Sequence, residues 1–441
     1  MRLPLALGLW LAASHAFAQP LPLDERSVVA LALAEHPAVD AARAEQRAAD
    51  ASYSGAKWGM VPNVQVTARY TRLSNIPARY RSFDGFVFPI LLNNLGVRAD
   101  LAVPVSDLVL GLAANLRALG QAAKASEIEV ANARAQVAYE ARVAFLAYWR
   151  GKLALDTSAE LVHAADSQLR DQRTREAAGT VARNDVLTFE VALDSALMRE
   201  HATRSELASA EASLRAFFPS LASRELVVPT LADEELRTEA LGAVPEKDSP
   251  PRIAALEAQA AAASERASAA SLDRLPKLSL VGGIEVAAPN PRVFVQDRLL
   301  FIPSWDVGVR LEWSLSQLTV GGATVDRERA QHQALLARVE DTRRKLHAER
   351  SGALRELELV HARVERALLH VQHAEALAAA RRGELETGTT LPVNVVLAEA
   401  DLAQAKNSLV QAVVERALAL AKLDFVQGRS EPTLAHRGGK P

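Results

Sequence analysis

The chain is written twice. Gly388 lies 209 residues after Gly179, and each glycine stands between threonines or beside one, in Ala178-Gly179-Thr180 and Thr387-Gly388-Thr389. After the first turn come Val186, Phe189, Leu193, Ala196, Glu200, Thr203, Leu207, Ala210, Leu214 and Phe217. After the second come Val395, Ala398, Leu402, Ala405, Leu409, Ala412, Arg416, Ala419, Leu423 and Val426. Both runs step alternately three and four positions, the seam of a coiled coil. Pro37 and Pro62 correspond likewise to Pro251 and Pro276, each pair 214 residues apart. Two units of about 210 residues with the same helices and breaks argue for two halves of one body, not unrelated domains.

The period changes inside each half. Val64, Val66, Ala68 and Tyr70 alternate with Gln65, Thr67, Arg69 and Thr71, and Val97, Ala99, Leu101 and Val103 alternate with Arg98 and Asp100. In the second half Leu278, Leu280, Ile284 and Val286 alternate with Ser279 and Glu285. Val307, Val309, Leu311, Trp313 and Leu315 alternate with Asp306, Arg310, Glu312, Ser314 and Ser316. Period two with charges on the second face predicts strands at about 63–72, 95–105, 277–287 and 304–316, forming a sheet with one apolar and one wet side. A soluble sheet covering a core gives that pattern, and so does a transmembrane β-barrel with lipid outside and water inside. Aromatics near the segment ends (Tyr70, Phe86, Phe88, Phe301, Trp305, Trp313) suit the barrel. Four strands cannot close a water-filled barrel, so a barrel needs several chains.

Asp107 to Ala178 contains no proline, and neither does Gln317 to Thr387, so each run predicts a very long helix of about 105 Å if unbroken. The runs Asp24–Gly59 and Asn184–Phe217 are about half as long. The first long helix carries two seams, Ile128, Ala131, Ala135, Ala138, Phe145, Trp149 and Val130, Ala133, Val137, Ala141, Ala144, Tyr148, as the wall of a tube requires. An isolated antiparallel coiled coil answers the same seams.

Only 5% of residues are aromatic although 49% are hydrophobic, because alanine supplies much of the apolar content. That composition favours long, closely packed helices. A formal charge of -2 gives no footprint for nucleic acid. Arg2, the apolar run Leu3–Ala13 and Ala16-Phe17-Ala18 read as a cleaved signal peptide over 1–18, whose removal leaves 50 basic against 53 acidic residues. The absence of cysteine excludes disulfides, thiol catalysis and Cys-ligated metals. No nucleotide-binding or hydrolase signature is found, so no catalytic residue and no cofactor is expected. His370 and His373 fall one helical turn apart, but ordinary helix-surface neighbours surround them and no metal is expected. Arg170, Arg173 and Arg175 with Asp171 and Glu176 read as a solvated helix face close to the first Gly-Thr turn.

The chain resembles the TolC-like outer-membrane channel (outer-membrane factor, or outer membrane efflux protein) family over essentially its whole mature length. The resemblance rests on the doubled order helix, proline, strand pair, long helix, Gly-Thr turn, heptad helix. It rests also on Glu35-His36-Pro37-Ala38-Val39, Pro62-Asn63-Val64-Gln65-Val66, Gly179 through Val186 and Gly388 through Val395. It implies a mostly α fold with a transmembrane β part: four strands per chain in a homotrimeric 12-stranded β-barrel, continued by a long periplasmic α-helical barrel. Under that organisation 1–18 is the signal peptide, 19–218 the first repeat, 219–250 a linker or equatorial region, 251–427 the second repeat and 428–441 a disordered tail. The family implies a passive duct in an efflux or type I secretion system, docked by a periplasmic membrane-fusion adaptor and an inner-membrane pump of RND or ABC type. Outer-membrane lipid would surround the barrel.

Carried over position by position, Gly179, Thr180, Gly388 and Thr389 become adaptor-contact tips. The family's acidic constriction six and nine positions after the second-repeat glycine falls here on Asn394 and Leu397, so that ring is absent or elsewhere. The first-repeat counterpart Asp185 keeps the acid, though an acid in a first helical turn is also favoured by the helix dipole. Arg69, Arg98, Asp100, Arg310 and Glu312 are the expected charges of the barrel lumen. The alternative from another class is a soluble periplasmic coiled-coil adaptor, but two hairpins and two strand pairs fit it poorly.

Overall fold

The computed structural model describes residues 21–431 apart from 60, 88, 222–223, 225, 230–249 and 294. The signal peptide 1–18, Phe88, most of the 219–250 connector and the end of the polar tail lie outside the described residues. The chain divides into two compact units, one formed by residues 1–40, 131–250 and 345–441, the other by 41–130 and 251–344.

In the first unit a short strand β1 (Leu21–Pro22) pairs in parallel with β6 (Leu226–Val227). Helix α1 (Glu25–Glu35) starts in a capping box: Asp24 Oδ1 accepts from the Ser27 amide at 2.8 Å, and Ser27 Oγ accepts from the Asp24 amide at 3.0 Å. The helical run expected over 24–59 is broken at His36, which is extended (φ -76°, ψ 125°) before α2 (Pro37–Trp58) begins. The cause is local: proline disfavours the helical region for the residue before it, while itself fitting a first helical turn. Long helix α3 (Leu112–Ala177) enters this unit at residue 131, followed by α4 (Arg183–Phe217). The last part of α6 (Ser316–Glu386) and all of α7 (Pro392–Val426) complete it.

The seams read from the sequence are the packed ones. Val137, Ala141, Phe145 and Trp149 of α3, Leu214 of α4 and Leu409, Ala412 and Val413 of α7 are buried in one cluster with Val28 and Ala32. Phe218 and Leu221 of the connector join that cluster, and Trp149 Nε1 donates to the Pro229 carbonyl at 2.7 Å, so the stretch after α4 is anchored. The tail expected from 428 onward begins with an ordered cap: Gly428 has φ +68°, and the amides of Gly428 and Arg429 donate to Phe425 and Asp424 at 2.9 and 2.8 Å.

The second unit holds the other parts of α2, α3 and α6, helix α5 (Pro251–Leu272) and one four-stranded antiparallel sheet. Buried alanines at 255, 258, 260, 262, 263 and 267 give α5 a close-packing face. The sheet order is β2 (Asn63–Arg72), β5 (Asn93–Val103), β7 (Lys277–Ala288), β8 (Ile302–Glu312). A small hairpin, β3 (Ser82–Phe83) with β4 (Phe86–Val87), stands in the loop between β2 and β5. Strand β2 matches its expected span and β7 runs one residue past its own, whereas β5 and β8 begin two residues earlier than expected and end early, at 103 instead of 105 and at 312 instead of 316, where α6 already begins. The extra residues pair with neighbours, as Asn93 does with Arg72 and Ile302 with Ala287, although they break the apolar alternation. Among the described residues no helix is long and apolar enough to cross a membrane.

Candidate functional site

Two features of the fold carry chemistry, one in each unit. In the sheet the register puts every apolar run on one face. Val64 opposes Leu101, Ala99 opposes Ile284, Leu280 opposes Val309, and Ile284 opposes Trp305. That face is bare: Val64 and Val66 are 64% and 66% exposed, and Trp305, Val307, Val309 and Leu311 are 68–70% exposed. A contiguous apolar surface of this extent marks contact with lipid or with another protein. Strands β2 and β8 are its two edges within one chain.

The opposite face is ionic. Arg98 on β5 donates from Nε to Asp100 at 2.7 Å, lies 3.6 Å from Glu285 on β7, and donates from Nη2 to Asp306 on β8 at 3.0 Å. Arg292, in the loop before β8, lies 3.4 Å from the same Asp306 carboxylate. Gly283 makes this crossing feasible. A Cβ there would stand 2.5 Å from Arg98 Nη2 and 3.0 Å from Asp100 Oδ1, so only glycine leaves the guanidinium its path over β7. Arg69, Arg310 and Glu312 lie on this same face at other register positions. Of the five expected lumen residues, only Arg98 and Asp100 are brought into contact; their partners Glu285, Asp306 and Arg292 were not foreseen.

The second feature is a pair of helical tips in the first unit. Gly179 (φ +71°) and Gly388 (φ +75°) end α3 and α6 in the left-handed conformation. The Gly179 amide donates to Glu176 O at 2.8 Å and that of Thr180 to Arg175 O at 3.0 Å; the Gly388 amide donates to Leu385 O at 3.1 Å and that of Thr389 to Glu384 O at 2.9 Å. These are two Schellman caps. Each threonine hydroxyl doubles its own amide's bond, Thr180 Oγ1 to Arg175 O at 2.9 Å and Thr389 Oγ1 to Glu384 O at 3.0 Å. The Gly-Thr pair is therefore explained by the turn itself, and all four residues remain exposed or half-exposed.

Beyond the turns the tips differ. Asp185 lies half-buried in the first turn of α4, whereas Asn394 donates from Nδ2 to Thr390 Oγ1 at 3.1 Å, and Leu397 is 57% exposed. The first tip is tied by charge: Glu190 of α4 lies 3.0 Å from Arg173 of α3 and 3.5 Å from Arg183, which also faces Glu176 at 3.7 Å. The hydrogen bond from Arg173 holds the Glu190 carboxyl below the usual carboxylate range. Arg170 and Arg175 pair within their own helix with Asp166 and Asp171 at 2.6 and 3.0 Å, as a solvated face does.

Just above the tips, Leu169, Val186 and Phe189 form a common core with Leu385 and Val396, joining both hairpins. Buried Glu399 of α7 accepts from Gln168 of α3 at 3.2 Å and lies 3.0 Å from Arg382 of α6. It lines an open cavity of about 610 Å³ whose walls include Leu161, Leu187, Val191 and Val393. No local signal marks this clip, since Glu399 stands beside the seam position Ala398. His370 and His373 are both exposed, and among the described residues no three His, Asp or Glu side chains are grouped to hold a metal ion.

No protein-family model and no curated protein matches the chain. Solved structures do. CusC, whose crystal structures follow folding and transmembrane channel formation, superposes with TM-score 0.75 at 14% identity, over 93% of this chain and 94% of CusC. The outer membrane protein VceC of Vibrio cholerae gives 0.73 at 17% identity, over 91% and 95% of the two chains. The Campylobacter jejuni CmeC outer membrane channel gives 0.73 at 14% identity, over 91% and 85%.

The chain has the fold of outer-membrane channels. That is the fold implied by the resemblance to TolC-like outer-membrane factors, and the two-faced sheet and paired tips are its distinctive parts here.

Proposed function

We propose that the protein is the trimeric outer-membrane channel of a tripartite efflux or type I secretion system. The observation that carries this reading is the sheet: one apolar face that is bare over β2 and β8, one ion-paired face and two open edges. Three copies joined edge to edge give 12 strands with lipid outside and charge inside, and remove every edge. On β8 the apolar face runs from Trp305 to Leu311, about 20 Å along the strand, and Trp313 just past the strand end adds an aromatic of the kind that flanks the apolar band of such barrels.

Arg69, Arg98, Asp100, Arg310 and Glu312 then face the duct. The exposed stripe Leu187, Val191 and Met198 on α4 supports a helical barrel in which a neighbouring protomer covers it. The tips around Gly179 and Gly388 meet a periplasmic adaptor, which links the duct to an inner-membrane pump of RND or ABC type. Asp185, Asn394 and Leu397 stand where a constriction would form. The duct itself performs no catalysis, and transport energy comes from the pump.

A soluble periplasmic adaptor is disfavoured by the bare apolar sheet. Membrane fractionation, detergent extraction and mass measurement separate the two readings. An outer-membrane trimer that conducts ions after reconstitution is expected, and a soluble monomer contradicts the proposal.

A further inference from the structure

The end of the sheet remote from its helices is cationic, and one of its arginines, Arg72, ends the apolar face of β2. Helices α2, α3, α5 and α6 all meet the sheet at one end, through the junctions 59–62, 104–111, 273–276 and 313–315. The β2–β5 and β7–β8 connections lie at the other end, which the channel reading above puts at the outer leaflet. Arg72 at the end of β2 and Arg79, Arg81, Arg292 and Arg298 of the connections stand against Asp84 and Asp297, a net +3 in a chain whose formal charge is -2.

The placement of Arg72 is specific. Register positions Val64, Val66, Ala68, Tyr70 and Arg72 lie on one face of β2, so Arg72 ends the apolar face as its last residue. Its Nη1 donates to Asn93 Oδ1 at 2.6 Å, and the Tyr70 hydroxyl donates to the same oxygen at 3.3 Å. Both Tyr70 and Tyr80 are exposed, at 64% and 70%. The Arg79 guanidinium carbon lies over the Tyr80 ring, 4.7 Å from its centroid, a cation–π contact that ties the two side chains together. Fork-shaped guanidinium groups beside tyrosines at the rim of an apolar band match a phosphate group set at the depth of a lipid headgroup. By contrast Arg292 is engaged by Asp306 on the ionic face.

We propose that Arg72 and Arg79, flanked by Tyr70 and Tyr80 and reinforced by the charge of Arg81, form a binding surface for phosphate-bearing lipid headgroups of the outer leaflet. The inference rests on the channel reading, and its test keeps the two apart. Purified trimer is reconstituted into vesicles of phosphatidylcholine alone or mixed with phosphatidic acid, re-extracted gently, and its retained lipid is counted by native mass spectrometry. Wild-type protein should retain phosphatidic acid in excess of its share. The double variant Arg72→Gln/Arg79→Gln should insert equally well and lose that preference by about fivefold for each arginine at low salt.

Insertion without preference, or a preference that survives in the double variant, overturns the lipid surface and leaves the channel intact. Inorganic phosphate suppressing lipid retention at equal concentration would reassign the arginines to a soluble anion and also overturn it. Failure to insert into either vesicle refutes the channel reading, and the lipid surface with it.

Discussion

Arg98 reaches across β7 to Asp306, closing a 3.0 Å charged hydrogen bond over the bare backbone of Gly283. The contact joins three strands on one face, and it exists because the middle strand offers no side chain at the crossing point. The charge cluster therefore depends on a single missing Cβ.

Gly283→Ala should displace the guanidinium and cost about 1–2 kcal/mol, because a flexible side chain yields more cheaply than backbone but forfeits its ion pairs. Thermal dissociation of the detergent-solubilised protein reads the effect. In an Arg98→Met background the same substitution should cost almost nothing. Equal losses in both backgrounds would show that the glycine serves something other than the arginine.

At the second tip a Cβ on Gly388 meets no atom within 4 Å, yet φ is +75°. Gly388→Val should therefore cost about 1–2 kcal/mol in local strain without a clash, leaving trimers intact. Export should nevertheless be abolished if the tip docks an adaptor. Gly383→Ala, five residues earlier in α6 with equally open surroundings, should leave export intact and stabilise the helix by about 0.5–1 kcal/mol. Retained export in Gly388→Val would remove the docking role.

The first tip should loosen in acid. Glu190 has its pKa lowered by Arg173, so its stabilising contribution is present above the ordinary carboxylate value of 4.5 and is lost as pH falls through the depressed folded value. Protection from hydrogen exchange at residues 173–190, taken relative to the intrinsic rate at each pH, should fall as pH drops below about 4.5 in the wild type. Arg173→Gln should show faster exchange at neutral pH and a flatter response to acid.

The buried cation of the first unit makes a sharper prediction. Arg142 on α3 donates to Asp424 on α7 at 2.8 Å and to Glu25 on α1, with side chains of Arg142 and Asp424 only 6% and 4% exposed. Arg142→Met should cost about 3–5 kcal/mol by taking the cation away from the buried Asp424 carboxylate, and Asp424→Leu added to it should restore much of the loss. Burial pushes the Glu25 carboxyl up despite the Arg142 charge, although a third of its side chain is exposed. A raised carboxylate contributes stability that is full below 4.5 and lost as pH rises through the folded value. Glu25→Gln should remove that slope, which urea unfolding across mildly acidic pH would detect.

These contacts also mark what the sequence could tell. Strands and seams were legible because period two and heptad spacing are local consequences of having one apolar face. The tips were legible because a left-handed cap selects glycine. Pairings between distant strands and helices left no local trace, so Glu285 and Asp306 were legible only as charges on the wet face, not as partners of Arg98, and Glu399 was not singled out. Arg142 did leave one: the seam of α3 skips from Ala138 to Phe145, and Arg142 fills the missing position as a buried ion pair. The adjacent Gly282 and Gly283 were a similar signal, since glycine inside a strand often marks a close approach.

The central claim is that three chains close one barrel through β2 and β8, and the absence of native cysteine allows a direct measurement. Thr67→Cys on β2 is combined in turn with Ser304→Cys, Asp306→Cys, Gly308→Cys or Arg310→Cys on the same face of β8, and each double variant is oxidised in the membrane. Within one chain these edges are three strand spacings apart, about 14 Å, too far for a disulfide, so any bond joins neighbours. At least one combination should give a covalent species of three chains and nothing larger. Absence of cross-linking in all four, a product that stops at two chains, or a ladder beyond three would contradict it.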